Sequence, residues 1–163
     1  SVVIAFEPAE RGIMRRPPRP PAEPLLSRLL VWRTLLVTVL LAGGVIWLHQ
    51  FELARGISEA AASATAVNAL VMGEIFYLLN MRHMDTSSLR ADLLVGNRYV
   101  LPAIGALLLL QIGFTYLPPM QELFGTAAID AQAWLLCLLL GATVFVVVEI
   151  EKALLSGWRR ART

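Results

Sequence analysis

The chain has 163 residues, 57% of them hydrophobic and 16% charged, with a mean hydropathy of +0.66, a balance too apolar for an ordinary soluble domain. The formal charge of +2 would suit a nucleic-acid binder only if the basic residues gathered on one soluble face; here they fall at the edges of apolar segments, so no nucleic-acid partner is expected. The single cysteine, Cys137, can form no intrachain disulfide and, inside the apolar run from Leu135 to Leu140, reads as a small buried hydrophobe.

In chain order, Ser1-Val2-Val3-Ile4-Ala5-Phe6 carries neither a basic n-region nor a small-residue cleavage site. Residues 1–6 are too few to span a bilayer and are expected to be the tail of a preceding transmembrane helix, in a chain excerpted from a longer gene product. Residues 7–24 interleave Arg11, Arg15, Arg16 and Arg19 with Pro17, Pro18, Pro20, Pro21 and Pro24. Proline at that density removes amide donors and favours a stiff, extended loop. It serves either as a basic spacer beside lipid headgroups or as a docking surface for another domain.

Four apolar segments follow, at about 25–48, 57–81, 99–117 and 131–150. Each approaches or exceeds the roughly 20 residues that a hydrocarbon core about 30 Å thick demands. The first carries Arg28 and Arg33 in its opening turns, where both can snorkel to an interface, and Gly43-Gly44, which lets a neighbour approach. The second opens on the small-residue run Ala60-Ala61-Ala62-Ser63-Ala64, suited to tight packing. The expected fold is all-α: a polytopic bundle of four transmembrane helices, residues 25–163, preceded by the helix stub and the Pro/Arg loop.

Charge tests the topology independently. An even number of spans places thirteen of the fourteen Lys and Arg on one side, leaving only Arg55 opposite. The positive-inside rule makes the crowded side cytoplasmic, so both ends of the four-span unit are expected there. The loops at about 49–56 and 118–130 then face out, and Trp47, Tyr116 and Trp158 fall near span ends as belt aromatics do.

Within these spans one ionisable residue stands out. Glu74 lies about seven residues short of the second span's cytoplasmic end, and an ionisable group at that depth is a functional candidate. At 3.6 residues per turn Tyr77 and Leu78 share its face while Asn68 and Asn80 point elsewhere. A hard cation wants six to eight oxygens, so one helix supplies at most a part of a site. The first span could add Thr34 or Thr38, the third Gln111 or Thr115. The alternative is a protonated Glu74 hydrogen-bonded to a neighbouring helix. Glu149 and Lys152, three residues apart at the end of the fourth span, read as a solvated ion pair. His49, Glu52 and His83 read as interfacial polar residues without the partners of a zinc site. Glycine-rich phosphate loops and the GxSxG, HExxH and CxxC patterns are missing from this sequence.

Several stretches together resemble the C-terminal membrane region of the P-type cation-transporting ATPases, of calcium-pump type. The opening Ala5-Phe6-Glu7-Pro8-Ala9-Glu10-Arg11-Gly12-Ile13-Met14-Arg15-Arg16-Pro17-Pro18-Arg19 is similar to the end of the sixth membrane helix and the loop that follows it. Residues 68–82, through Asn68, Glu74, Asn80 and Arg82, resemble the eighth helix. Asn97-Arg98, Thr115-Tyr116-Leu117-Pro118, Leu123-Phe124-Gly125-Thr126, Trp134 and Glu149 resemble the ninth and tenth.

The resemblance implies that the four spans are the seventh to tenth helices of a pump. Glu74 would match the eighth-helix acidic residue that contributes to a Ca²⁺ site, where plasma-membrane calcium pumps tend to carry Gln. Arg15, Arg16, Pro17, Pro18 and Arg19 would form a coupling loop against the cytoplasmic phosphorylation domain. The parent would use ATP and Mg²⁺ and transport a cation, Ca²⁺ being the expected one. Its partners would be the lipid bilayer, the remaining transmembrane helices and the phosphorylation domain, in a prokaryotic plasma membrane. The phosphorylated Asp-Lys-Thr-Gly-Thr sequence does not occur in this chain, which cannot hydrolyse ATP alone. Two other readings stand beside this one. One is a stand-alone four-helix scaffold or partner subunit without ion chemistry. The other is a small secondary transporter using Glu74 as a proton relay, disfavoured because the two halves show no internal symmetry.

Overall fold

A computed structural model describes residues 28–81 and 100–160 of the chain. The expected helix stub, the Pro/Arg loop and the segment holding Arg82, His83, Arg90 and Arg98 lie outside the described residues.

The described chain is all-α: α1 (Arg28–Ala54), α2 (Glu59–Met81), α3 (Val100–Tyr116), α4 (Pro118–Phe124) and α5 (Ala131–Arg160). Three of these, α1, α2 and α5, are long and apolar enough to cross a membrane. The pair α3–α4, bent by 76° at Leu117, makes a fourth span if its two helices are taken together. The architecture is that of a polytopic membrane domain.

The turns between the described helices have local causes. α1 runs past residue 48 because nothing between His49 and Ala54 breaks a helix; it stops where Gly56 takes φ +79°, a left-handed turn glycine tolerates. Ser58 then caps α2, its Oγ accepting the amide of Ala61 at 3.3 Å. Pro118 opens α4, where its missing amide costs nothing. Asp130 caps α5 by accepting the Ala133 amide at 2.7 Å. α5 continues ten residues beyond the apolar run because Glu151, Lys152, Ala153, Leu154 and Leu155 are all good helix formers.

The bundle is built on α2 and α5, which share the most extensive interface; α1 lies against both and α3 touches α2 lightly. The α2 and α5 helices run in the same direction. Ala64 meets Ala133 at one end, the Cys137 thiol reaches the Thr65 carbonyl, and Asn80 meets Lys152 at the other end. In the middle Gly141 permits a close approach, because a Cβ there would press on the Phe76 ring and lie 3.1 Å from the Met72 carbonyl oxygen. α1 runs the opposite way, Arg33 meeting Glu151 and Leu48 packing with Ala69, Met72 and Cys137. Of the glycine pair in α1, Gly44 sits against Leu140 of α5, whereas Gly43 faces open space. Small residues and interhelical polar bonds hold the helices together, as they must where lipid is as apolar as leucine.

Candidate functional site

Three faces of α2 are occupied by polar or packing contacts. Ala61, Ala62, Ala64 and Ala69 are buried along the interface with α5 and α1. Asn68, 1% exposed, donates from Nδ2 to Thr115 Oγ1 at 2.9 Å and to the Ala64 carbonyl at 2.8 Å. Asn80, fully buried, donates to the Phe145 carbonyl at 3.1 Å. Both asparagines therefore point away from Glu74, as the helical spacing predicts.

Glu74 stands on the remaining face with Val67 and Leu70, exposed within the described residues. Among the described residues it makes neither a hydrogen bond nor an ion pair, so the alternative of a glutamic acid bonded to a neighbouring helix finds no partner there. The expected helpers do not gather round it. Thr34 and Thr38 are exposed on α1. Thr115 is spent, fully buried, on Asn68 and on the Gln111 carbonyl, to which its hydroxyl donates at 2.8 Å. Gln111 is buried and its Nε2 finds no acceptor among the described residues. Among those residues no group of three His, Cys, Asp or Glu side chains could hold a metal ion. What α2 offers is one carboxylate on a face that the described residues leave open.

The end of the bundle below Glu74 is more heavily charged than the sequence suggests. Arg33, expected to snorkel, is 4% exposed and donates from Nε and Nη2 to Glu151 Oε2 at 3.1 and 2.9 Å. Lys152 and Glu149 do form the expected pair, at 3.1 Å, but it is not solvated: their side chains are 6% and 11% exposed. Lys152 also donates to the Asn80 carbonyl at 2.6 Å. The reason is the length of α5. Successive residues on a helix are about 100° apart, so Glu151 can turn to α1 while Lys152 turns to α2. A detectable signal existed: Arg33 and Glu151 are opposite charges at the same end of the first and last spans.

The opposite end carries a second polar cluster. Glu52, read as an interfacial residue, is 1% exposed and accepts both its bonds from Arg55 Nη1, at 2.8 and 2.9 Å. Arg55 Nη2 bridges to Gln132 Oε1 at 2.8 Å and Asp130 Oδ2 at 3.3 Å. The Ala133 amide, and then Arg55, hold the Asp130 carboxyl below the ordinary carboxylate range. A cavity of about 270 Å³ lies beside them, lined in part by Glu52, Ser58, Thr65 and Asp130. Its two carboxylates are already matched by Arg55. Tyr116 Oη ties the loop down by donating to the Ile129 carbonyl at 2.9 Å and accepting from Trp134 Nε1 at 2.8 Å.

Arg15, Arg16, Pro17, Pro18 and Arg19, expected to form a coupling loop, lie outside the described residues.

Comparison with known proteins agrees with this architecture. Residues 1–154 match the family model described as "Cation transporting ATPase, C-terminus". The chain is 39% identical over 153 residues to a probable cation-transporting ATPase F of Mycobacterium tuberculosis, covering 94% of this chain and 17% of that protein. It is 37% identical over 151 residues to the cation-transporting ATPase pma1 of Synechocystis, covering 85% and 16%. It is 28% identical over 160 residues to a calcium-transporting ATPase type 2C member 2 of Mus musculus, covering 98% and 17%. The chain thus spans about a sixth of the length of these relatives. A run of apolar helices built round α2 and α5, matched over nearly its whole length, belongs to the C-terminal membrane region of the P-type cation-transporting ATPases.

Proposed function

We propose that this domain supports the transport core of an ATP-driven cation pump and lends it Glu74 as one ligand of a cation site, with Ca²⁺ the expected cation. The observation that carries the reading is that Glu74 is the one acidic side chain of α2's inner half, stands on the face left open by α1, α3 and α5, and is committed to no other group among the described residues. A carboxylate oxygen suits a hard cation, and the further oxygens would come from helices elsewhere in the pump. The calcium-transporting names of several relatives favour Ca²⁺.

In this reading the Arg33 end faces the cytoplasm, as the bias of thirteen basic residues to that side favours, in a prokaryotic plasma membrane. Arg15, Arg16, Pro17, Pro18 and Arg19 form the loop that meets the phosphorylation domain. ATP and its Mg²⁺ act on that domain, outside this chain.

The test is Glu74→Gln in the full-length pump, assayed for cation-stimulated ATP hydrolysis and transport with Ca²⁺, Mn²⁺, Mg²⁺, Na⁺ and K⁺. The half-saturating concentration of the transported cation should rise about tenfold or more, the effect of about 1.4 kcal/mol of lost ligation. Unchanged affinity and transport would leave the domain as a scaffold without ion chemistry.

A further inference from the structure

We propose that α4 is an interfacial helix whose apolar face, Leu117, Met120, Leu123 and Phe124, lies in lipid at the boundary between acyl chains and headgroups. The proposal needs only the membrane setting of the domain and is independent of Glu74.

The sequence sets the face. At about 100° per residue, Leu117, Met120, Leu123 and Phe124 fall within about 120° of the helix surface, and Glu122 lies on the opposite side. All four apolar side chains are exposed, Leu123 at 72%. The bend then sets the direction. α4 leaves α3 at 76°, so where α3 crosses the bilayer α4 runs nearer the membrane plane than its normal.

One contact decides which way the apolar face turns. The Phe124 ring meets that of Phe114, three residues before the bend in α3, edge to face with centroids 5.3 Å apart. The apolar side of α4 is therefore turned back towards the body of α3, and Glu122 away from it. An interfacial helix needs that orientation, with its apolar side sunk about 5–10 Å into the boundary and its charge in water. On α3, Leu109, Leu110 and Ile112 are exposed as well, so the face of α4 continues a surface suited to lipid.

The polar groups fit the same depth. Backbone that enters a membrane boundary must find its hydrogen bonds within the protein. Pro119 has no amide to give the Thr115 carbonyl four residues back, and Gln121 Nε2 takes its place at 2.7 Å. At the other end Gly125, with φ +62°, turns the chain, and the Thr126 amide returns to the Gln121 carbonyl at 3.0 Å. Beside the bend, Trp134 Nε1 donates to Tyr116 Oη at 2.8 Å, and both residues are of the type that gathers at the membrane boundary. Residues 100–130 contain neither Lys nor Arg, so the attraction is apolar insertion and not a bond to anionic headgroups.

The experiment places a cysteine at Leu123, Met120 or Glu122 of the full-length pump, its other reactive cysteines being changed to serine. Each variant, L123C, M120C or E122C, carries an environment-sensitive nitrobenzoxadiazole label and is reconstituted into phosphatidylcholine vesicles. Quenching is read with iodide on both sides of the membrane and with phosphatidylcholine bearing a nitroxide either shallow or deep in its acyl chain. Labels at Leu123 and Met120 should be quenched by the shallow nitroxide more than by the deep one. Iodide should quench them about threefold less than the label at Glu122. Adding anionic lipid should leave both results unchanged.

Equal iodide quenching at all three positions would make α4 a water-exposed loop. Stronger quenching by the deep nitroxide would make it the second half of a broken span. Protection from iodide and from both nitroxides would mean that another helix of the pump covers the face. Each of these overturns the proposal. So does failure of both L123C and M120C to accumulate, because a side chain lying in lipid tolerates exchange for cysteine.

Discussion

The two ends of this bundle use the same residue types to different effect. At the Arg33 end the ion pair joins helices distant in the chain, Arg33 to Glu151 across 118 residues, and its side chains are 5% and 10% exposed. At the Arg55 end the arginine side chain is 23% exposed; it reaches Glu52 three residues away, and Asp130, itself half exposed. One end is a tertiary lock in a low-dielectric setting, where a charge left without its partner is expensive. The other is a partly hydrated clasp on the turn between α1 and α2 and the start of α5, where water can replace much of what is lost. The difference teaches that charge at a span end cannot be assigned to headgroups by position alone: it depends on how far the neighbouring helix continues.

The contrast can be broken most sharply at Glu151. Glu151→Gln strands Arg33 inside the bundle and should destabilise the domain by about 3–5 kcal/mol, read as a fall in the melting temperature of the detergent-solubilised pump. Exchanging the two charges, Arg33→Glu with Glu151→Arg, should recover much of that loss. A cost below about 1 kcal/mol for Glu151→Gln would reduce the lock to an ordinary surface bridge and erase the difference between the ends.

An intermediate effect is expected at Arg55. Arg55→Met removes the donor from both oxygens of a Glu52 that is 1% exposed, which should cost about 1–3 kcal/mol. Adding Glu52→Gln, which removes the stranded charge, should return part of the melting temperature. Failure of that second change to help would mean that Glu52 gains access to water once Arg55 is gone.

The smallest effect belongs to Asp130, at the water-facing start of α5. Asp130→Ala should cost about 1 kcal/mol through loss of the helix cap, and Asp130→Asn much less. The sign of the pH dependence follows from the lowered carboxyl. A folded-state pKa below the unfolded value means stability that is complete above the ordinary aspartate value near 3.9 and lost as pH falls through the folded value. Melting curves of the parent between about pH 7 and 5 should therefore show no contribution from this group, and the acid-side loss should shrink in Asp130→Asn. An equal acid-side loss in both proteins would show that the cap does not depend on its charge.

Much of the fold was legible in one dimension, because the bilayer imposes lengths. Four apolar segments, the all-α class, the small-residue face of α2 and the opposed directions of Asn68, Asn80 and Glu74 follow from hydropathy and a 3.6-residue period. The helix ends were less legible. Apolar runs stop where the hydrocarbon would stop, whereas helices stop where a glycine, a proline or a cap ends the backbone hydrogen bonding. For that reason α1 reaches Ala54, α5 continues past Ile150 and the loop after Tyr116 contains α4. The candidate site divides in the same way: Glu74 is conspicuous as a lone carboxylate in an apolar helix, but Arg33 and Lys152 read as interfacial until their partners are known.

The sequence by itself determined the solvent, the number of apolar segments, the bias of basic charge to one side, the family and the presence of one acidic residue within α2's inner half. Only the tertiary structure decided which charges are buried and with whom they pair, and that Glu74 has neither a hydrogen bond nor an ion pair among the described residues. The reason is physical: periodicity specifies which side chains share a face of one helix, while the partner on the other side of an interface is chosen by packing between segments 72 and 118 residues apart.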